Sequence, residues 1–375
     1  MTAATVIANG RQLPVSGTSN QVTSLIANTG PNALLASGSY PLPTAAGTGP
    51  LTSVPLPSGH AEWRITNVAN AQFTPITALW TSPTAAYVSS NSASNLGGIV
   101  GMSGATIDGY PVAAGTYVFQ FMDFSLGSFI FLSDGPPVMF RGCRIRGPAT
   151  PPGFFNSQSG GYAASLYFHY CDFGGAGSAS ECDVAVQIGQ SGNMRLLRNY
   201  ISWAGTPVLL VSVNIFCDVF ENLLENVTLY NAGLHLNGIK WQGTDTNFLC
   251  KRNCVVFDNT DALGNQITQT DAIGMIPTFG AFPGTGVNSD GTTGYVIDSN
   301  FAGGAGYCYY LGSNSGNSPV SNLVVTNNQV TAGQYSTGGF FGTNAFIPPN
   351  GWGTSGNRQS NNTWADGPNA GTSFL

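Results

Sequence analysis

The chain has 375 residues, a formal net charge of -6, and 7% charged against 42% hydrophobic residues. That balance excludes a disordered chain, which needs high charge and few apolar residues. Eleven Lys and Arg without a basic run exclude nucleic-acid binding through phosphate neutralisation. No apolar stretch reaches the roughly 18 residues of a membrane-spanning helix. Fifty glycines, with many Asn, Ser and Thr, point to strands and tight turns rather than helices.

Residues 1–100 are rich in Ala, Thr, Ser, Gly and Pro, and their charges are Arg11, Glu62 and Arg64. Short strands are expected there, among them Ser53–Leu56 and Glu62–Thr66. This β-rich N-terminal segment would anchor the chain or cap the first of the repeats. Met1–Gly10 lacks a cationic region followed by an apolar core, so no secretory signal is expected. The protein is expected to be made in a cytoplasm.

From residue 101 onward the chain reads as repeats. A short pattern recurs, in which an apolar residue is followed three positions later by Asn or Cys and then by an apolar strand. It begins at Phe140-Arg-Gly-Cys143 and Phe168-His-Tyr-Cys171. It continues through Asn199, Asn222, Asn253, Asn300 and Asn328, with intervals of 28, 28, 23, 31, 47 and 28 residues. A fainter copy surrounds Asn357. Strands of roughly 3–6 residues, three to a coil with short turns, need a little over 20 residues. The period therefore fits a parallel β-helix, whose coils bury their apolar rows only by stacking. Buried Asn at equivalent turns can bond one another as a ladder. Cys143 and Cys171 would be its first two rungs, close enough for a disulfide on steric grounds, though none is expected without a secretion signal. The 47-residue interval requires either a long excursion or an extra coil.

The first coils are expected near Ala105–Gly109 and Gly115–Phe121, and 332–375 should cover the last one. The fold class is all-β, a right-handed parallel β-helix over 101–375 with a C-terminal cap and a β-rich segment over 1–100.

The coil pattern over Ala105 to about Gln359 resembles the pectin-lyase-like β-helix superfamily. The stretches Val138–Gly147, Gln269–Ile273 and Gly356–Asp366 resemble β-helical minor tail proteins of phages that infect actinobacteria. That resemblance implies a virion tail component, often a homotrimer, that contacts neighbouring tail subunits and host-envelope polysaccharide. Some such helices cut polysaccharide and others only bind it, and the fold does not choose between them.

The residues carry three readings. The first is host attachment without catalysis. If Leu236–Ile239 and Thr270–Ile273 are equivalent strands, Asn237 and Asp271 stack on one outward face, with His235 and Lys240 on or near it. Trp203 and Trp241, at turns, would either offer flat surfaces for sugar rings or pack beneath a loop or in a subunit interface. The second reading is a depolymerase, which would need paired carboxyls and would lose activity on Asp271→Asn. Glu221 and Glu225 flank one rung without being placed together, and Asp258 and Asp261 lie in a turn, so no catalytic residue is assigned. The third is a purely structural virion component, since interface cores are poor in charge. Cys250 and Cys254 make half a zinc site at most. No metal and no cofactor is expected.

Overall fold

A computed structural model describes residues 4–8, 11–15, 99–100, 106–107, 110–113, 117–120, 137–141, 144–147, 155–156, 165–169, 171–175, 182–188, 192–210, 216–227, 237–243, 246–257, 271–275, 282–312, 320–345 and 351–375. The described chain contains no helix, and its strands form a right-handed parallel β-helix. Three sheets of ten, eight and seven strands run along its length.

One coil shows how the sequence makes the shape. Asn193–Leu197 lies in the first sheet, Tyr200–Ser202 in the second and Ala204–Leu210 in the third. Phe216–Phe220 then starts the next coil, paired in parallel with Asn193–Leu197. Alternation sends Met194, Leu196, Ile201, Val208 and Leu210 into the core, where all are fully buried.

The corner between the first and second sheets is the most regular part. In six coils a non-glycine residue with positive φ, namely Arg198, Glu221, Arg252, Ser299, Asn327 or Asn361, precedes a fully buried or nearly buried Asn. From Asn222 onward each of these Asn oxygens accepts two bonds from the coil before it. For example, Asn222 Nδ2 and the Asn222 backbone N–H both donate to Asn253 Oδ1 at 2.9 Å. Asn253 Nδ2 donates in turn to Asn300 Oδ1 at 3.0 Å and to the Val219 carbonyl at 2.8 Å. The same bonds join Asn199 to Asn222, Asn300 to Asn328 and Asn328 to Asn362. The backbone N–H of Cys171 donates to Asn199 Oδ1 at 2.8 Å. The amide supplies both a donor and acceptors, so each rung satisfies the next. Cys171 is a buried thiol and not half of a disulfide; its Sγ donates to the Phe140 carbonyl at 3.3 Å. Cys143 lies outside the described residues.

Two expectations need correction, and one open alternative is resolved. The last rung is Asn362, 34 residues beyond Asn328. Asn357 instead opens the final coil, where its Oδ1 accepts from the Leu323 N–H and its Nδ2 donates to the Val320 carbonyl. Gly356-Asn357 copied the local pattern, but the paired register Val325↔Gln359 places the corner further on. The stretch around 105–109 is no coil: Thr106–Ile107 pairs antiparallel with Tyr110–Pro111, and the parallel stack begins with Tyr117–Gln120 against Val138–Arg141. The 47-residue interval holds one coil, because Asn253 bonds Asn300 directly. Its extra length includes a small hairpin, with Val287 bridged antiparallel to Thr293. Ser53–Leu56 and Glu62–Thr66 lie outside the described residues. Ala4–Ala8 and Arg11–Val15 pair antiparallel.

Residues 373–374 fold back onto the neighbouring coils. Ser373 bridges Thr363, the Phe374 N–H donates to the Asn362 carbonyl, and the Phe374 ring stacks on Tyr309 with centroids 5.4 Å apart.

Asn253→Ala removes one rung and leaves buried donors and acceptors unpaired. It should cost roughly 3 kcal/mol, read as a shift in the denaturant midpoint at constant slope. A loss below about 0.5 kcal/mol would show that the ladder amides contribute little.

Candidate functional site

The outward residues of the first sheet form straight rows because the ladder keeps successive coils in register. One row runs Arg195, Asp218, Leu249, Val296, Val324, Arg358, and the next runs Leu197, Phe220, Lys251, Asp298, Thr326, Ser360. At the N-terminal end these rows are covered. Arg195 and Asp218 form a fully buried ion pair at 3.2 Å. The guanidinium lies 4.8, 5.5 and 5.0 Å from the ring centroids of Tyr110, Tyr167 and Phe216. Arg195 Nη1 also donates to the Pro111 carbonyl, and the Ala113 N–H donates to Tyr167 Oη. Residues 110–113 are thus strapped onto the sheet. Burial pushes the Asp218 carboxyl up to about 6, against the lowering influence of Arg195.

Towards the C-terminal end the rows open into a groove of about 590 Å³, within the range of ligand pockets. Val296 and Val324 give it an apolar floor, and Lys251, Asp298, Thr326 and Arg358 line it. The hairpin inserted after Asn253 makes a wall with Thr292 and Thr293. Asp290 at its tip reaches back to Lys251 Nζ at 3.2 Å, and Asp298 lies 3.8 Å from the same nitrogen. Asp298 Oδ1 also accepts from Thr326 Oγ1 and Asn327 Nδ2, both at 2.8 Å. Partial burial pushes the Asp290 carboxyl up, but hydrogen bonds from Thr292 and the Lys251 ammonium outweigh it and hold the group below its usual value.

The strip expected from sequence lies on the third sheet. Asn237 pairs with Asp271, and Lys240 with Gly274. Gly238 faces the core, where an added Cβ would meet Val255; Asn237, its neighbour, therefore faces outward. A Cβ on Gly274 would strike the Asp271 carboxylate at 2.6 Å, so that group overlies the outer side of Gly274. The strip is not open to a sugar, however: Asp271 is 0% and Asn237 2% exposed. Neither Asp271 oxygen has a hydrogen-bond partner among the described residues. Burial therefore pushes its carboxyl up to about 7, with Lys240 opposing. Burial also lowers the half-buried Lys240 ammonium, against the raising effect of Asp271.

Trp241 is a core residue rather than a surface platform. It is fully buried, with Phe248, Phe282 and Tyr295 ring centroids 5.3–5.9 Å away. Period-two alternation carries its side chain inward with Ile239. Trp203 is partly exposed at a turn with φ of 56°, where its carbonyl accepts from the Gly175 and Cys182 N–H groups. His235 lies outside the described residues, as do Asp258 and Asp261. Glu221 is held between Arg198 and Arg252. Cys250 and Cys254 are buried, and among the described residues no group of three or more His, Cys, Asp or Glu could hold a metal.

Sequence reasoning missed the groove. Its lining comes from residues 251 to 358, and one wall belongs to the excursion that appeared in sequence only as an overlong interval. Two signals were present, namely the tight-turn sequence Ser289-Asp290-Gly291 inside that interval and the polar residue that comes two positions after an apolar one in Lys251, Asp298 and Thr326. No protein-family model, no curated protein and no solved structure matches the chain.

Asp271 gives a pH signature. The folded chain keeps its proton to about pH 7, whereas the unfolded chain releases it near the ordinary carboxyl value of about 3.9. The folded state therefore binds more protons between those values, and stability falls as pH rises through that window. Asp271→Asn escapes this loss. Its advantage in thermal midpoint should be near zero at about pH 4 and grow to a plateau above pH 7, worth at most roughly 4 kcal/mol. A difference that does not vary with pH would contradict the burial of an unpaired carboxyl.

Proposed function

We propose that this protein binds polysaccharide through the groove on the first sheet and does not cleave it, and that it does so as an attachment component of a virion tail. The observation that carries the binding reading is the groove itself, with an apolar floor edged by hydroxyls, a carboxylate, an ammonium and a guanidinium. A sugar ring presents the same pairing, with C–H faces for Val296 and Val324 and hydroxyls for Asp298, Thr292 and Thr326. Such mixed surfaces fix the orientation of a ligand with a few polar contacts.

The non-catalytic part rests on the state of the carboxyls. Hydrolysis of a glycosidic bond needs a protonated acid beside a second carboxylate. Asp290 is held below its usual value, and both it and Asp298 are tied to Lys251. Asp271 has the raised value an acid needs but is fully buried. The virion-tail setting, the homotrimer and contact with other tail subunits rest on the sequence resemblance at Val138–Gly147, Gln269–Ile273 and Gly356–Asp366. The low charge of the chain is compatible with that setting.

The test is incubation of the protein with envelope polysaccharides, with bound sugar and new reducing ends both assayed. Binding without new ends is expected. Thr326→Trp, which fills the groove from an outward position, should weaken binding at least about tenfold, a loss of ~1.4 kcal/mol, while leaving the thermal midpoint unchanged. Release of reducing ends, or binding indifferent to this substitution, would contradict the reading.

A further inference from the structure

We infer that the polysaccharide unit held in the groove is anionic, with its charged group seated at the Arg358 end. This rests on the groove being a saccharide site. The inference starts from how charge is distributed among the described cationic side chains. Arg195 is paired with Asp218, Arg198 and Arg252 share Glu221, and Lys251 is flanked by Asp290 and Asp298. Lys240 lies in the field of Asp271. Arg358 is the exception. It is exposed, lines the groove, and has no carboxylate or other side-chain partner among the described residues.

The groove is therefore polarised along its length. At one end a single ammonium faces two carboxylates within 4.0 Å, which leaves that end negative. At the other end a guanidinium is uncompensated. Lys251 and Asp298 lie on neighbouring strands, and Arg358 lies two strands beyond Asp298. Strands are about 4.8 Å apart, so the two ends are roughly 10 Å apart. A neutral sugar would gain nothing from this polarity. An anion is repelled from the Asp290–Asp298 end and drawn to Arg358, whose planar donors bind carboxylate or phosphate through two parallel hydrogen bonds. Val324, next to Arg358 in the same row, gives the groove apolar lining beside it. The hydroxyl-bearing remainder of the ligand then faces Thr326, Thr292 and Asp298.

The shared chemistry is an oxyanion on a hydroxylated polymer, and it has two sources, a carboxylated sugar or a phosphodiester-linked polymer. The test uses three probes on the full-length protein: a neutral glucan oligosaccharide, the same oligosaccharide oxidised to carboxylates at C6, and a glycerol-phosphate polymer. At least one anionic probe should bind about tenfold or more tighter than the neutral one, and that advantage should shrink as salt is raised. The tighter of the two anionic probes identifies the source. Arg358→Gln should abolish the advantage, bringing the anionic probes down to the affinity of the neutral one, and Arg358→Lys should retain part of it. Equal binding of all three probes, blocked by Thr326→Trp, would overturn the anion inference and leave the groove reading standing. Binding of none of them would overturn both. An anionic advantage that survives Arg358→Gln would also overturn the assignment.

Discussion

The buried asparagine at the corner between the first and second sheets is the constraint on which the rest of the structure depends. A left-handed residue before it turns the chain sharply, at an ordinary cost of about 1–2 kcal/mol for a non-glycine residue. The ladder offsets that cost, because the backbone N–H and Nδ2 of one asparagine both donate to the Oδ1 of the next. Six successive asparagines are linked in this way without a break from Asn199 to Asn362. Because every coil is pinned at the same corner, loops elsewhere can change length freely. The coil between Asn253 and Asn300 carries a hairpin, yet its rung geometry matches that of its neighbours.

Straight coils make straight outer rows, and the covering of those rows decides where a ligand can sit. On the first sheet the strap at 110–113 seals the N-terminal end over the Arg195–Asp218 pair. The same rows emerge uncovered near Lys251, where the hairpin adds a wall and turns a flat face into a groove. On the third sheet the outward rows hold Asn237 and Asp271, yet both are buried. The open site and the closed one thus share an architecture and differ in covering.

This difference also explains how much could be read from sequence. The ladder was legible because only an amide serves as donor and acceptor at that corner, so Asn recurs at 199, 222, 253, 300 and 328 whatever lies between. Register on the third sheet was legible for a similar reason: the alignment of Asn237 with Asp271 comes from matching Ile239 with Ile273. Alternation breaks at Gly238, which faces the core together with its neighbour Ile239, and it never tells what lies over an outward side. The strip at Asn237 and Asp271 therefore looked open, and Trp241 looked like a surface ring although its parity with Ile239 already placed it inward. Asn357 misled because a local motif was weighed without its strand register. The groove was illegible because its lining is gathered from four neighbouring strands spread between Lys251 and Arg358.

Hydrogen exchange with and without bound polysaccharide tests the central claim, that the ladder fixes a rigid face on which the groove takes a glycan. The ladder amides at Asn199, Asn222, Asn253, Asn300 and Asn328 should exchange slowly in both states. Segments 288–296, 322–326 and 356–360 should slow only when polysaccharide is present. Fast exchange at the ladder, or ligand protection centred on 237–241 and 271–275 instead, would contradict the account.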